Sequence, residues 1–211
     1  MHRLFGGAPL RSDRHGRRAG WQPLRRQLQR QCHPPLQRQL GQYDAAVASF
    51  EQASSADPHR ADAVLNEGML LEWLGKKKEA AAAYNKALGI DPENALALNN
   101  LAFLSAENGT NLDQAMTFAE RAKKKIPNNP DISDTLGFVY YQKNLNSEAL
   151  QIFRQVVQES PHNATFRLHL AMALSRQGDK QGAKTEAEKA LKDASQPDEQ
   201  NRIRSFVNQI G

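Results

Sequence analysis

Apolar residues recur at helical spacing along most of the chain, in pairs of short segments separated by Gly, Asn or Pro. The stretch 130–163 shows this pattern most clearly. Leu136 and Tyr140 lie on one face of a first predicted helix, and Phe153 and Val156 lie on one face of a second. Spacings of three and four residues place side chains on the same side of an α-helix. The stretch therefore predicts two amphipathic helices joined by a short turn.

This two-helix unit recurs at a nearly fixed interval. Counted from the proline that ends each unit, full copies begin at Ala61, Ala95, Pro130 and Ala164, at spacings of 34, 35 and 34 residues. A half-unit, residues 41–60, precedes them. A fixed period of this length outweighs local helix propensity, because each unit buries its apolar face only against its neighbours. The sequence thus predicts an all-α array of stacked helix hairpins.

Two positions in each unit carry residues that suit a special backbone arrangement. The eighth position is small in every full copy, which allows the two helices of a hairpin to approach closely. The turn within each hairpin carries a residue that tolerates the left-handed backbone of a helix C-terminus. The interval of 35 has its extra residue near Thr110, where it is expected to lengthen a turn without changing the packing. The eighth-position residues are Gly68, Ala102, Gly137 and Ala171, and the turn residues are Gly75, Gly109, Asn144 and Gly178.

The pattern resembles the tetratricopeptide repeat family, whose unit of about 34 residues has a small residue at position 8, Ala at 20, an aromatic residue at 24 and Pro at 32. The resemblance covers residues 41 to about 195. It implies an α-solenoid of antiparallel helix hairpins wound into a right-handed superhelix. The chain departs from the family pattern at Ser195, where proline is expected, and at position 4, where the family often has Trp and this chain has Val64, Leu98, Ser133 and Arg167.

The repeats also predict the domain organisation. A solenoid is expected over residues 41–195, and a C-terminal capping helix over residues 196–211. Ser195 is expected to be the N-cap of that last helix, with Pro197 in its first turn. A polar-backed end of this kind closes the apolar surface of a repeat array. The array comprises the half-copy 41–60 and the repeats 61–94, 95–129, 130–163 and 164–195, and the cap has Ile203, Phe206, Val207 and Ile210 on one face.

Residues 1–40 differ from the rest of the chain. They contain nine Arg, no Lys and a single acid, Asp13, so they carry a formal charge of +8, whereas the remaining residues carry −3. From residue 22 to 40 every residue except Cys32 is Gln, Pro, Leu, Arg or His, the amino acids whose codons can begin with cytosine. This vocabulary favours a frameshifted or inert segment. A basic arm that binds anions and a targeting address are the alternatives.

Motifs for catalysis and metal binding are missing from the sequence. It has no phosphate-binding, dinucleotide-binding, zinc-protease or nucleophile-elbow motif. With one cysteine, the chain lacks the Cys spacing of a metal site. We therefore expect neither an enzyme nor a cofactor, a metal or a small-molecule substrate. No apolar run is long enough to cross a membrane, so membrane insertion is not expected. The compartment stays open between cytoplasm and periplasm or envelope.

The candidate binding surface is the groove that the first helices of a stacked hairpin array line together. Met and aromatic side chains at its ninth and neighbouring positions suit adaptable apolar binding, and Asn and charged side chains supply polar contacts. His169 has no Asp or Cys partner within its own helix, so a role in proton transfer is not expected. The predicted groove consists of Leu65, Asn66, Met69, Trp73, Asn99, Asn100, Phe103, Asp134, Phe138, Tyr141, Gln142, His169, Met172 and Arg176.

These features predict a non-enzymatic scaffold or adaptor that holds a peptide or partner helix through apolar anchors. Within bacterial members of the family, residues 98–116 and 134–144 resemble repeats of cell-envelope and exopolysaccharide-associated proteins, which implies a role in envelope assembly. One alternative is a regulatory C-terminal piece of a larger enzyme or secretion component. Another is nucleic-acid or anionic-surface binding through residues 1–40, which is not favoured because only Phe5 and Trp21 could stack on bases there.

Overall fold

The computed structural model describes residues 45–50, 52, 57 and 60–211. These belong, with the exception of Ala45, to one compact unit, Ala46–Gly211. The interpretations of the Arg-rich segment 1–40, and much of the half-copy 41–60, lie outside the described residues. Residues 45–50 and 52 are helical.

Residues 60–211 form nine α-helices joined by short turns and contain no strand. The helices are α1 (Ala61–Trp73), α2 (Lys77–Ile90), α3 (Ala95–Glu107), α4 (Leu112–Lys125), α5 (Pro130–Gln142), α6 (Asn146–Glu159), α7 (Ala164–Arg176), α8 (Lys180–Asp193) and α9 (Pro197–Ile210).

The helices pair in chain order. α1 packs on α2, α3 on α4, α5 on α6 and α7 on α8, and each second helix also contacts the first helix of the next pair. The first helices α3, α5 and α7 contact one another in succession, and α9 packs on α7 and α8. Each pair thus buries its apolar faces against its neighbours, as a repeat array requires. The predicted all-α solenoid of stacked hairpins is confirmed.

Asparagine side chains begin three of the first helices. The Oδ1 of Asn94 accepts a hydrogen bond from the backbone N–H of Ala97. Asn129 does the same at the start of α5, and Asn163 at the start of α7. These bonds satisfy backbone donors that have no partner within the helix. Each asparagine follows the proline that ends the preceding unit, so the unit boundary both stops one helix and starts the next.

The start of α9 differs from the prediction. The N-cap residue is Gln196, whose side chain makes no capping hydrogen bond, so the interpretation of Ser195 as the cap is wrong. Pro197 occupies the first turn of the helix, where it needs no hydrogen-bond partner. The side-chain amide of Gln200 instead donates to the carbonyl of Ala194, at 3.0 Å, and ties the first turn of α9 to the end of the preceding segment.

The turns within the hairpins use the predicted left-handed residues. The φ angles are +76° at Gly75, +64° at Gly109, +62° at Asn144 and +89° at Gly178. The turn after α3 holds the extra residue of the 35-residue interval, and it contains a second left-handed residue, Asn111, with φ of +51°. The insertion is therefore absorbed by the turn, and the helix pairing on either side is unchanged.

The eighth position sets the distance between the two helices of each hairpin. A Cβ atom at Gly68 would lie 2.6 Å from the ring of Tyr84, and one at Gly137 would lie 2.7 Å from the ring of Phe153. Both rings are fully buried. The other two hairpins have alanine at both corresponding positions, and these residues are also fully buried: Ala102 with Ala119, and Ala171 with Ala187. Glycine under a ring and alanine opposite alanine are two ways to fill the same space.

Ion pairs join neighbouring hairpins at their edges. The guanidinium of Arg121 on α4 donates to the carbonyl of Pro92 at 2.6 Å and to the carboxylate of Glu93 at 2.5 Å. Lys125, one turn later, lies 3.2 Å from the same carboxylate. Arg121 and then Lys125 hold the pKa of Glu93 below its ordinary range. The turn between α2 and α3 is thereby tied to α4.

Replacing the glycine at the eighth position is expected to lower the stability of the protein where that glycine faces a ring. Gly137→Ala should destabilise the protein by about 1–3 kcal/mol, because the added methyl group overlaps the ring of Phe153. The midpoint of urea denaturation, followed by circular dichroism, measures this. Gly89→Ala is the matched control, since a Cβ there meets nothing within 4 Å and Ala is the better helix former. A Gly137→Ala midpoint equal to or above that of the unchanged protein would contradict the prediction.

The Glu93 contacts predict a pH-dependent contribution to stability. Because the pKa of Glu93 is lowered in the folded chain, its contribution is present above the unfolded pKa, about 4.3, and is lost as the pH falls through the lower folded value. Glu93→Gln should therefore lower the denaturation midpoint slightly at neutral pH. At a pH below the lowered folded value the difference should vanish. Glu188→Gln, at an exposed glutamate of α8, is the control, and equal effects of the two changes at neutral pH would refute the prediction.

Candidate functional site

The predicted groove residues lie on the four first helices α1, α3, α5 and α7. The structure does not expose them equally. Leu65, Asp134, Phe138 and His169 are buried, Arg176 is exposed, and the other nine are half-buried. The buried members act as support for the surface that the half-buried ones present.

Three rings form a continuous row across α3, α5 and α7. The rings of Phe103 and Phe138 have centroids 5.6 Å apart, and Phe138 stacks on the imidazole of His169 at 4.8 Å. Phe153, on α6, also contacts that imidazole, with the two ring centroids 5.5 Å apart. Aromatic pairs at these separations contribute about 0.5–1.5 kcal/mol beyond the area they bury. The row therefore links three consecutive repeats. We call Phe103, Phe138 and His169 the aromatic row.

His169 has a partner that the sequence analysis missed. Its Nδ1 lies 3.0 Å and 2.9 Å from the two carboxylate oxygens of Asp134, on α5. Both side chains are buried, at 6% and 5% exposure. Asp134 lies 35 residues before His169, at position 5 of the preceding repeat and not in the same helix. The spacing of one repeat was the signal that could have revealed it.

A second contact between α5 and α7 lies about two turns further along. The guanidinium of Arg176 lies 3.5 Å above the ring of Tyr141, in a cation–π contact. Its Nη1 also donates to the carbonyl of Tyr141 and to Oδ1 of Asn144. Tyr141 stacks in turn on Phe138, at 6.3 Å. These contacts fix the exposed guanidinium at the edge of the aromatic row.

The two groove asparagines on α3 bond mainly to each other. Nδ2 of Asn99 donates to Oδ1 of Asn100 at 3.2 Å. Oδ1 of Asn99 is buried and has no hydrogen-bond partner among the described residues. Buried amide oxygens are usually paired, so this atom is an acceptor without a donor.

The α1 end of the predicted groove is simpler. Leu65 belongs to the core that α1, α2 and α3 share, and Met69 packs at the margin of that core. The hydroxyl of Tyr84 donates to the carboxylate of Glu72 at 2.7 Å, so Glu72 on α1 is tied to α2. At the other end, Met172 packs against two cores, one on each side of α7. Half-buried methionines thus stand at both ends of the groove.

Other parts of the described chain offer little chemistry. Among these residues, no group of three or more His, Cys, Asp or Glu side chains could hold a metal ion. None of the described helices is both long and apolar enough to cross a membrane. A shallow, open depression lies on α6, lined by Arg154, Gln177 and α6 glutamines, rather than on the first helices.

Sequence comparison decides the family. A tetratricopeptide repeat model matches residues 35–95 and 74–130, and a second one matches residues 140–210. The chain belongs to the tetratricopeptide repeat family. Members of this family serve as protein-interaction scaffolds that bind protein or peptide partners, and they are generally non-enzymatic.

Individual tetratricopeptide repeat proteins show the same relationship. The human mitochondrial import receptor subunit TOM70 is 26% identical over 135 residues, which are 59% of this chain and 21% of the receptor. A repeat protein from Parabacteroides merdae superposes with a TM-score of 0.67 at 18% identity, over 88% of this chain and 77% of its own. YrrB, described as having an unusual peptide-binding site, superposes with a TM-score of 0.55 at 20% identity. The superposition covers 75% of this chain and 84% of YrrB. The chain spans about a fifth of the length of the curated relatives it matches.

A double-mutant cycle tests the energetic coupling of Asp134 and His169. Asp134→Ala should destabilise the chain by about 1–3 kcal/mol, because it leaves a buried imidazole N–H without an acceptor. His169→Phe should do likewise to the carboxylate. The double variant should cost clearly less than the sum of the two single changes, since neither unpaired group remains. Urea denaturation of the four proteins provides the free energies of unfolding, and additive effects would show that the pair is uncoupled.

Proposed function

We propose that this chain binds a peptide or a partner helix along the face of α3, α5 and α7. The observation that carries the proposal is the aromatic row, which runs across three repeats and is bordered by half-buried Tyr141 and Met172. A row of rings held by one another keeps its shape when a ligand leaves. Preorganised apolar surface of this kind binds without a large ordering cost.

The burial of each side chain suggests its role. Phe103, Tyr141 and Met172 are half-buried and would be the anchor contacts, whereas Phe138 is buried and would support them. Met69 and Trp73 would extend the apolar surface towards α1. Covering a large apolar side chain contributes about 1.5–3 kcal/mol. Three such anchors are enough for a ligand of moderate affinity after the entropic cost of association.

The comparisons support an interaction role of this type. TOM70 is named as an import receptor subunit and YrrB as a protein with a peptide-binding site. The first name refers to a receptor and the second to the binding of a peptide. The bacterial envelope setting, exopolysaccharide assembly included, stays a prediction. So does the alternative that this chain is a regulatory part of a larger enzyme or secretion component, which agrees with the small share of its relatives that it spans.

The basic segment 1–40 carries the other alternative. Its nine Arg residues favour anionic partners, and binding through them would weaken steeply with salt. Binding to the face of α3, α5 and α7 would depend on apolar contacts and would change little. The salt dependence of partner binding therefore separates the two modes.

Two adjacent tyrosines test the proposal. Peptides selected from a random display library on the full chain should bind Tyr141→Ala at least about tenfold more weakly, since one anchor contributes about 1.5 kcal/mol or more. Tyr140→Ala is the matched control. Its ring is also half-buried on α5, but its hydroxyl contacts Glu120 of α4, 3.4 Å away, rather than α7.

Fluorescence anisotropy of labelled peptides measures both affinities, and thermal unfolding shows whether each variant is folded. Phe103→Ala and Met172→Ala should behave like Tyr141→Ala. Peptides that bind all four variants and the unchanged chain equally would place the binding surface elsewhere and overturn the proposal.

A further inference from the structure

The imidazole of His169 is buried with only one of its two nitrogens occupied. Nδ1 contacts both carboxylate oxygens of Asp134, at 3.0 Å and 2.9 Å. Nε2 has no hydrogen-bond partner among the described residues. The fully enclosed side-chain polar atoms that have no partner among the described residues are Oδ1 of Asn99 and Oδ1 of Asn146. Nε2 of His169 is not one of them. Nε2 is therefore not fully enclosed, although His169 as a whole is buried.

The contact with Asp134 determines which nitrogen carries the hydrogen. An ionised carboxylate only accepts hydrogen bonds, so the hydrogen lies on Nδ1. In the neutral ring, Nε2 then presents a bare lone pair. The ring itself is held between Phe138 at 4.8 Å and Phe153 at 5.5 Å. The lone pair is thus fixed in direction before any ligand arrives.

Several groove side chains lie close to His169 in the fold. His169 and Met172 are three residues apart on α7, which places them on the same helix face. Phe138 lies against the ring, and Tyr141 with its guanidinium partner Arg176 lies at the next turn. Met172 and Phe138 cannot donate a hydrogen bond, and the guanidinium of Arg176 donates to the carbonyl of Tyr141 and to Asn144 instead. A donor to it must come from water or from a ligand.

We propose that Nε2 of His169 is the polar recognition point of the groove, and that it accepts a hydrogen bond from an N–H group of a bound peptide next to an apolar side chain. This inference rests on the function proposed above. Asp134 is a positioning residue, because it acts through the imidazole and fixes its tautomer. The N–H group is supplied by the peptide main chain or by a side chain, and the experiment below separates the two.

The tautomer is tested without any ligand. The full chain is labelled with ¹⁵N, and long-range ¹H–¹⁵N correlation spectra of the histidine rings are recorded at about pH 8, where an ordinary imidazole is neutral. The Nε2 of His169 should resonate as a nitrogen without hydrogen, and Nδ1 as one that carries hydrogen. A hydrogen on Nε2 in the neutral ring would overturn the proposal.

The hydrogen bond to Nε2 is tested with peptides that are selected from a random display library on the full chain. Only peptides whose binding is weakened by Tyr141→Ala are used. His169→Asn keeps an N–H that reaches Asp134 but lacks an acceptor at the position of Nε2. It should weaken these peptides about tenfold or more, as expected for a lost buried hydrogen bond. Its thermal unfolding temperature should fall, because the ring contacts of His169 with Phe138 and Phe153 are lost, so the affinities are compared at a temperature at which both proteins are folded.

His162→Asn is the matched control. His162 also places Nδ1 near an aspartate, Asp193, at 3.2 Å, but its side chain is 86% exposed. Binding should be unaffected by this change. Peptides in which single main-chain N–H groups are methylated, or single donor side chains are replaced by Ala, then identify the source of the hydrogen. The peptide change that weakens binding to the unchanged chain should not weaken binding to His169→Asn any further.

The possible outcomes are distinct. Peptides that are sensitive to Tyr141→Ala but bind His169→Asn as well as the unchanged chain would overturn the role of Nε2 and leave the groove intact. If no selected peptide is sensitive to Tyr141→Ala, the proposed function fails, and the recognition point fails with it. Equal losses in His169→Asn and His162→Asn would also overturn the role of Nε2, because they would show an effect that is not specific to the buried ring.

Discussion

The close approach of two helices at the eighth position is the contact on which this structure depends. Where the first helix has glycine, an aromatic ring of the second helix fills the space: Tyr84 lies over Gly68 and Phe153 over Gly137. This contact sets the separation of the hairpin, and the separation sets which side chains of the first helix face the next repeat. In the hairpin of α5 and α6 the same ring reaches the aromatic row, because Phe153 also contacts the imidazole of His169. A change that spreads the hairpin would thus disturb the candidate site.

Three side-chain contacts made by the first helices α5 and α7 share nearly the same sequence offset. Asp134 and His169 are 35 residues apart, as are Tyr141 and Arg176, and Thr165 donates to Glu199 across 34. The first two pairs join similar positions of adjacent units, and the third joins the last unit to the capping helix α9. A solenoid brings residues one period apart into contact as regularly as a helix brings residues four apart. Interactions at this offset are what turn a series of hairpins into one cooperative body.

Much of the fold was predictable because it depends on local rules repeated along the chain. Glycine and asparagine at the turns, small residues at the eighth position and proline at the boundaries each have one physical reason, and the structure bears them out at Gly75, Asn144 and Gly137. The N-cap of α9 was predicted wrongly because Ser195 and Gln196 compete for one position, and the choice depends on how the chain leaves α8.

The candidate site was less predictable for a related reason. The sequence identified the helix faces, but whether Phe138 is a support or an anchor depends on the rings of neighbouring repeats. The partner of His169 was likewise invisible to any reading confined to one helix. Side-chain roles at an interface between repeats are properties of two units together. Periodicity gives the candidates, and only packing separates those that hold the surface from those that form it.

The pairing of Asp134 with His169 has a consequence for any ligand of a periodic surface. A groove built from equivalent units offers a bound segment several nearly equal placements, each shifted by one unit. The positions that correspond to Asp134 and His169 elsewhere in the described first helices are Leu65 with Asn100 and Asn99 with Thr135. Among these equivalent positions of the described first helices, only the contact between α5 and α7 therefore pairs a carboxylate with an imidazole. That single irregularity would serve as a register mark, distinguishing one placement of a ligand from its translated copies.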